Sequence, residues 1–220
     1  MGPTSTDHEL AMLMANQGQV KPGDFVYDPF VGTGSIATAL QHFGAFVFGS
    51  DLDIRVIKGY GVGRKTKNDV AGLDKIEKFD ILTNFTHYSL PHPDFWIQDV
   101  HSPMLRASPV FDAIVCDPPY GIRARTQKVG IPEKKQERYA AHGGNLKPVD
   151  DYDEQTNFHA SMKEQYSQKD IYSDLLEHAS KYLREGGLVT FLFHNDDTLT
   201  EEENKFPEHP RLKLTHASKD

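Results

Sequence analysis

Four residues in the middle of the chain, Asp117, Pro118, Pro119 and Tyr120, place an acid, two prolines and an aromatic ring directly after an apolar run. The exocyclic amine of a nucleobase is a poor nucleophile, because its lone pair is delocalised into the ring, so a catalyst must hold its hydrogens with acceptors. Asp117 supplies one acceptor. The Pro118 carbonyl can supply another, because consecutive prolines keep the backbone extended and remove competing N–H donors. Tyr120 offers a flat face on which a flipped-out base can stack, so the four residues form a predicted catalytic group for a planar amine.

A glycine-rich turn after another short apolar run predicts a ligand-binding site. Glycines let the backbone approach a ligand closely, and the helix that follows presents free amides to a carboxylate or a phosphate. The spacing is GTG rather than G-x-G-x-x-G, and the lysine of a phosphate-binding loop is absent, so a dinucleotide is disfavoured. A plain strand-to-helix turn is the alternative interpretation. The candidate cofactor-binding residues of this turn are Asp28, Pro29, Phe30, Gly32, Thr33 and Gly34.

Three further carboxylates follow apolar runs and complete the candidate cofactor site. In an open parallel sheet the ligand lies beyond the carboxyl ends of the strands, near the point where the strand order reverses. Asp51 is the candidate for accepting hydrogen bonds from ribose hydroxyls, and Asp53 either contributes to that site or caps the next helix. Asp99 could accept from an adenine amino group, with an ordinary surface acid as the alternative. Together these positions indicate a nucleoside ligand.

Apolar runs and helical patterns alternate along the chain, which predicts an α/β fold. The predicted strands are FVYD, AFVFGSD, FWIQD, FDAIVCD and LVTFLF, and the fourth is almost continuously apolar, as a strand covered on both faces must be. Right-handed crossovers then place helices on both faces of a mostly parallel, Rossmann-like open sheet. One more strand is predicted at RLKLTH, residues 211–216, and the last edge strand of the sheet is expected to be missing.

Helix ends are predicted from capping and glycine patterns. The first helix is expected to begin with a capping box formed by Thr6 and Glu9 and to end at Gly18. The last helix is expected to end at Gly186 and Gly187. The predicted apolar faces are Leu10, Leu13 and Met14 in the first helix, Ile36, Ala39, Leu40 and Phe43 in the second, and Ile171, Leu175, Ala179 and either Tyr182 or Leu183 in the last.

Length and composition restrict the functional classes. A chain of 220 residues is long enough for one domain with a full core, and it contains no apolar run of the roughly 20 residues that a membrane span needs. No secretory signal is visible, so a cytoplasmic location is expected. The single cysteine, Cys116, excludes a disulfide framework or a cysteine-based zinc site, and it is interpreted as a small core residue. None of the eleven histidines has the spacing of a metal site, so no metal is expected.

The segment at residues 120–165 is predicted to be a long loop or lid. It is polar, it has no clean period, and loops of this length in compact domains tend to be functional. The formal net charge of the whole chain is -8, which argues against a free-standing nucleic-acid binder. Residues 121–147 nevertheless carry seven basic and two acidic side chains. A solvated loop is the usual interpretation of such a cluster, but its position directly after the DPPY motif favours a surface that faces a polyanion.

The sequences DPFVGTGS, GSDLD, QD and DPPYGIR together resemble the motifs of class I, S-adenosylmethionine-dependent amino-methyltransferases. In that resemblance DPFVGTG corresponds to the cofactor turn, Asp51 to the ribose acid, Asp99 to the adenine-side acid, and residues 117–120 to the catalytic motif. The head of the chain, GPTSTDHELAMLMANQG, is similar to that of the eukaryotic tRNA guanosine N2-methyltransferases acting at position ten, which belong to the THUMP-associated group.

The resemblance implies several further expectations. It implies a seven-stranded core, S-adenosylmethionine as cofactor, tRNA as substrate and a small zinc-binding activator subunit as partner. It also implies a separate N-terminal THUMP region, which is absent from this chain, so residues 1–220 are expected to be a methyltransferase domain excised from a longer protein. The implied reaction is direct attack of the guanine amine on the cofactor methyl, with Asp117 and the Pro118 carbonyl orienting the amine.

Two other interpretations stay open at the level of sequence. The same fold and motif suit a methyltransferase for another planar amine, such as DNA adenine, because the basic segment does not distinguish RNA from DNA. A catalytically silent scaffold that uses the fold for protein binding is the other alternative, although the intact GTG turn and DPPY motif argue against it.

Overall fold

The fold consists of a parallel sheet with helices on both faces. A computed structural model describes residues 5–53, 57–58, 80–119, 127–129, 151–153, 158–160, 163–165, 167–194 and 205–218. The strands are β1 (Phe25–Asp28), β2 (Phe46–Asp51), β3 (Asp94–Ile97), β4 (Phe111–Cys116), β5 (Gln127–Val129), β6 (Asp151–Asp153), β7 (Phe158–Ala160), β8 (Lys163–Gln165) and β9 (Leu183–Phe191). The helices are α1 (His8–Gln17), α2 (Ser35–His42), α3 (Thr83–His87) and α4 (Gln168–Tyr182).

Five strands form the main sheet in the order β3-β2-β1-β4-β9. Every neighbouring pair is parallel, so the carboxyl ends of all five strands lie at one edge. The chain moves outward from β1 to β2 and β3, and then returns to place β4 on the other side of β1. This reversal between β1 and β4 is the topological switch point of a doubly wound sheet. The predicted Rossmann-like α/β fold is therefore confirmed.

The core has two layers, one on each face of the sheet. On one face α1 and α2 pack on alternate strand residues such as Val26 and Val115, which are completely buried. On the other face α4 packs on Tyr27 and Ile114, which alternate with that first set along the same strands. We call these the α1–α2 layer and the α4 layer. No helix in the described ranges has the length and apolar character needed to cross a bilayer.

The five predicted strands of the main sheet are confirmed, and Cys116 is completely buried, as expected of a core residue. The predicted apolar faces of α2 and α4 are also confirmed. The central strand β4 is buried along almost its whole length, so its apolar run is a strong local signal. Within residues 120–165, predicted as a loop, the short pairs β5 with β8 and β6 with β7 form antiparallel ladders.

Four predictions are wrong: the strand at residues 211–216, the end of the last helix, the capping box of the first helix and the burial of Leu13. Residues 211–216 form no strand, because Leu212 packs against the α4 layer while Leu214 is 62% exposed, so the alternating pattern does not reflect a sheet. The last helix ends at Tyr182, and Gly186 lies instead inside an irregular stretch of β9 that loops out between two paired segments. Gly186 has a φ of 79°, which glycine adopts without strain.

The start of α1 also differs from the predicted capping box. Asp7 is the N-cap, and its side chain accepts from the backbone amides of Glu9 and Leu10. The hydroxyl of Thr6 is directed elsewhere in the fold, as described below. Gly18 ends the helix as predicted, but Leu13 is 56% exposed and does not belong to the buried face.

Candidate active site

A cleft of about 40 Å³ lies at the switch point between the carboxyl ends of β1 and β4. It brings together the glycine turn after β1 and the acid after β4, which are separated by more than eighty residues in the sequence. The residues that line it are Thr6, Asp28, Phe30, Val31, Gly32, Thr33, Ser35, Ile36 and Asp117. The cleft is therefore formed by the two motifs that the sequence marks most strongly.

The glycine turn follows β1, and two of its backbone amides donate hydrogen bonds to residues at the end of β2. The amide of Gly32 donates to Asp51 Oδ2 at 3.0 Å, and the amide of Val31 donates to the Ser50 carbonyl at 2.9 Å. Gly32 and Gly34 have φ angles of 49° and 84°, in the left-handed region that disfavours other residues. At Gly34 a side chain would also meet Ile81, with a Cβ only 2.9 Å from that residue. The turn thus requires glycine at both positions.

Asp28, the last residue of β1, has a carboxyl group in an unusual environment. It is 1% exposed, and Oδ1 accepts from the amide of Phe30 at 3.0 Å. Oδ2 has no hydrogen-bond partner among the described residues. Burial raises the pKa of Asp28 well above its ordinary value, and the neighbouring carboxylates of Asp51 and Asp117 raise it further. Pro29, the next residue in the chain, is also completely buried.

Asp117, directly after β4, faces the same cleft. Its Oδ2 accepts a hydrogen bond from the Thr6 hydroxyl at 2.9 Å, and its Oδ1 is buried without a partner in the described part of the chain. Burial raises the pKa of Asp117, and the hydrogen bond from Thr6 opposes that rise. Pro118 is buried and Pro119 is half-buried. Tyr120 lies outside the described residues, so its stacking role stays a prediction.

The three other predicted acids lie along the strand ends on the β2 and β3 side. Asp51 Oδ1 accepts from the amide of Asp53 at 2.8 Å, which ties these two residues together next to the glycine turn. Asp51 Oδ2 accepts from the amide of Gly32, as described above, so each carboxylate oxygen has one amide donor. A carboxylate oxygen can accept more than one hydrogen bond. Asp99 is 9% exposed and accepts from the amide of His101 at 2.9 Å, in a turn beyond β3. Asp51, Asp53 and Asp99 are not among the residues that line the cleft.

Several residues at the site were not among the sequence candidates, namely Val31, Ser35 and Ile36 in the lining of the cleft and the neighbouring pair Ser5 and Thr6. Thr6 contacts Asp117, and the hydroxyl of Ser5 lies 2.8 Å from that of Thr33 in the glycine turn. The segment before α1 therefore connects both halves of the cleft. The pattern TSTD contains three hydroxyls and an acid that can all serve as caps, so the sequence offers no local signal that separates the capping residue from the others.

The acceptor atoms that face the cleft suit a ligand that is positively charged or donates hydrogen bonds. Two buried carboxylate oxygens without partners, on Asp28 and Asp117, are acceptors that a positively charged or hydrogen-donating group can satisfy. Gly32, whose Cβ position has only the Phe30 carbonyl within 4 Å, lets the ligand approach the backbone of the turn. The cleft itself is too small to hold a whole nucleoside. Among the described residues, no cluster of three or more His, Cys, Asp or Glu side chains could hold a metal ion.

Comparison with known proteins identifies what the chain is similar to. The sequence profile of UPF0020, described as an RMKL-like methyltransferase domain, matches residues 1–133. The chain is 38% identical over 217 residues to the tRNA (guanine(10)-N(2))-methyltransferase TRMT11 of Xenopus laevis, covering 97% of this chain and 41% of that protein. It is 36% identical over 220 residues to the TRMT11 of Dictyostelium discoideum, covering 99% of this chain and 38% of that protein. The chain thus spans about two fifths of the length of these relatives.

Among solved structures, TrmN from Thermus thermophilus aligns with a TM-score of 0.40 and 23% identity, covering 55% of this chain and 31% of that protein. The assignment of the fold rests on the strand order and on the matching sequence profile.

Proposed function

The chain belongs to the UPF0020 family of RMKL-like methyltransferase domains, and we propose that it is the catalytic domain of an enzyme that methylates N2 of guanosine at position 10 of tRNA. The proposed methyl donor is S-adenosylmethionine. The single observation that supports the reaction type best is the shared cleft of Asp117 and the glycine turn, in which an acceptor for an amine lies next to a cofactor turn. The choice of base and RNA is supported by the similarity to TRMT11 of two distant organisms.

The residues on the β1 and β2 side are proposed to hold the cofactor. When bound, S-adenosylmethionine supplies an electrophilic methyl group on a positively charged sulfur. The turn of Gly32, Thr33 and Gly34 would bind it through the backbone, and the buried carboxyl of Asp28 would face its positive charge. Asp51 would accept from the ribose hydroxyls, with Asp53 supporting that carboxylate through its amide. Asp99 would accept from the adenine amine.

The residues after β4 are proposed to hold the substrate amine. Asp117 Oδ1, which is buried and has no described partner, would accept one hydrogen of the guanine amine, and the Pro118 carbonyl would accept the other. Two fixed acceptors favour the tetrahedral nitrogen that forms as the lone pair leaves the ring. Tyr120 would stack on the base, and Pro119 would keep the backbone between them extended.

The proposed enzyme acts on tRNA together with other parts. The basic segment at residues 121–147 would contact the phosphate backbone, while a THUMP region elsewhere in the full-length protein would supply most of the affinity for tRNA. A small zinc-binding activator subunit, implied by the resemblance of the sequence, completes the proposed holoenzyme.

The test is a labelled-methyl assay with the full-length protein and its activator on bulk tRNA, followed by nucleoside mapping. The expected product is N2-methylguanosine at position 10. A tRNA transcript with adenosine at position 10 serves as the matched control and should take up no label. Label on another nucleoside, or on adenine in a DNA duplex, would contradict the proposed substrate, while failure to bind S-adenosylmethionine in calorimetry would contradict the reaction type.

A further inference from the structure

The contact between Thr6 and Asp117 joins two segments that are 111 residues apart in sequence. Thr6 lies just before α1, at a position where a threonine commonly caps the helix. Asp7 already performs that function through its own carboxylate, which accepts from the amides of Glu9 and Leu10. The hydroxyl of Thr6 is therefore not needed by the helix, and its donated hydrogen bond is directed at Asp117 Oδ2 at 2.9 Å.

This hydrogen bond makes the two oxygens of Asp117 inequivalent. Oδ2 has a fixed donor, whereas Oδ1 is buried and has none among the described residues. A carboxylate held at one oxygen by a donor from a separate element cannot rotate freely about its side-chain bond. The oxygen without a donor is then held in one orientation in the cleft.

The same segment also supports the glycine turn. Ser5 is hydrogen-bonded to Thr33 with 2.8 Å between the two hydroxyl oxygens, so consecutive residues contact the two halves of the cleft. One short stretch of backbone thus contacts both the glycine turn and the acid, which the pairing of β1 with β4 brings together.

We propose that Thr6 is a positioning residue for methyl transfer, whose hydroxyl holds one oxygen of Asp117 so that the other is presented to the substrate amine. The inference rests on the proposed function, because it assigns Asp117 the role of amine acceptor. In this role Thr6 acts through Asp117, whose Oδ2 its hydroxyl contacts.

The titration of Asp117 provides a readout that is specific for this role. The groups that face it are Asp28 from β1, the adjacent Cys116 and Tyr172 from α4. None of these is altered by a change at Thr6. Because the donated hydrogen bond favours the ionised carboxylate, its removal should raise the pKa of Asp117 further.

The experiment compares Thr6→Val, Thr6→Ala and Thr6→Ser in the full-length enzyme with its activator, using the labelled-methyl assay on tRNA. Valine is close to threonine in shape and lacks the hydroxyl, so kcat should fall by about 10- to 100-fold, the range for a lost hydrogen bond to a charged group. The acidic limb of the pH profile of kcat/KM should move to higher pH in both the valine and alanine variants. Serine should restore both the rate and the profile. The KM for S-adenosylmethionine should stay within about threefold in all of them.

Thr86→Val is the matched control, since Thr86 is an exposed threonine of α3 whose hydroxyl bonds to the Leu82 carbonyl away from the cleft. Its rate and pH profile should equal those of the unsubstituted enzyme. A valine variant at position 6 with unchanged kcat, an unmoved acidic limb, or a serine variant as slow as the valine variant would each overturn the proposal. An unsubstituted enzyme that methylates no tRNA would instead overturn the proposed function, and the assignment of Thr6 with it.

Discussion

Two regions of the domain bury polar side-chain atoms that have no hydrogen-bond partner in the described residues, and they differ in their surroundings. In the cleft these atoms are one carboxylate oxygen each of Asp28 and Asp117. In the α4 layer they are both ring nitrogens of His178, which is 2% exposed. The His178 ring packs between Tyr27 and Tyr182, with centroid distances of 5.4 and 4.4 Å. One set of atoms lies beside an open cleft, and the other is enclosed by aromatic rings.

An unpartnered polar atom opposes folding wherever it is buried, because it has lost its hydrogen bonds to water. Beside a cleft, a ligand can replace those hydrogen bonds. Inside the α4 layer no ligand can enter, and burial lowers the pKa of His178 to about 4, with Lys181 lowering it further, so the ring stays neutral at ordinary pH. The lack of a partner alone therefore does not indicate a site, whereas its position next to a cavity does.

The largest expected effect separates catalysis from binding within the cleft. Asp117→Ala should reduce methyl transfer by about 10²- to 10⁴-fold, the range for loss of a positioned catalytic group. Cofactor affinity, measured by calorimetry, should change little, because the glycine turn and Asp51 are untouched. An equal loss of both quantities would show that Asp117 serves the cofactor and not the amine.

The next effect concerns His178 and tests the enclosed region. Its pKa in the folded state, about 4, lies below its ordinary value of 6.5, so the unfolded chain binds the proton more readily. Stability should be at its full value above pH 6.5 and fall as the pH drops toward 4, by about 3 kcal/mol from this residue. Urea unfolding between pH 7 and 4 measures this.

His178→Phe is the matched variant, because phenylalanine keeps the aromatic packing and removes the titrating group. It should be less sensitive to acid than the unsubstituted domain by roughly that amount. Identical pH dependence of the two proteins would mean that other groups cause the acid sensitivity.

A smaller effect is expected from the backbone of the glycine turn. Gly32→Val places a β-branched residue at a φ of 49°, so the turn should distort and cofactor affinity should fall by about 10-fold or more. Gly23→Val is the control. Gly23 has a similarly positive φ of 89° and lies outside the cleft, and a Cβ at this position would have no atom within 4 Å. This variant should lose stability without a change in cofactor affinity. If both variants bound cofactor equally well, the turn would not be the binding element.

The smallest effect is expected at Asp28, where one substitution should increase stability and weaken cofactor binding. Asp28→Asn removes a carboxyl whose pKa burial raises, so that ionisation of this group as the pH rises destabilises the fold. The variant should lose less stability than the unsubstituted domain as the pH rises from 6 to 8, and it should bind cofactor more weakly. Thermal unfolding at the two pH values, with calorimetry for the cofactor, checks both. If the Asn variant were less stable than the unsubstituted domain at pH 8, the ionised carboxylate of Asp28 would already have a partner that compensates its burial.

Local patterns in the sequence predicted the sheet and the two main motifs because those signals are contained in short stretches. FDAIVC is buried on both faces and needs no distant information to be identified as a strand. The GTG turn is similarly local, since its backbone angles restrict it to glycine. Both motifs were placed at strand ends by the alternation of elements alone.

The contact of Thr6 could not be predicted in the same way. Thr6 and Asp7 are both good caps, and the choice between them depends on an acceptor 111 residues away. The exposure of Leu13 and the absence of a strand at residues 211–216 also depend on which surfaces meet in the fold. Sequence patterns thus identified the glycine turn and Asp117, whereas the contact of Thr6 with Asp117 could be recognised only in the tertiary structure.

The two regions are joined by a single rigid element, α4. Tyr172 lies near its beginning and receives a hydrogen bond at 3.1 Å from the amide of His194, just beyond β9, while His178 lies about 9 Å further along the axis. Protonation of the imidazole would destabilise the packing of this helix, whose first part carries Tyr172 close enough to Asp117 for the two groups to interact electrostatically. Acid should therefore act in two distinguishable ways: protonation of Asp117 is reversed as soon as the pH is raised, whereas unfolding that follows protonation of His178 is reversed only by refolding.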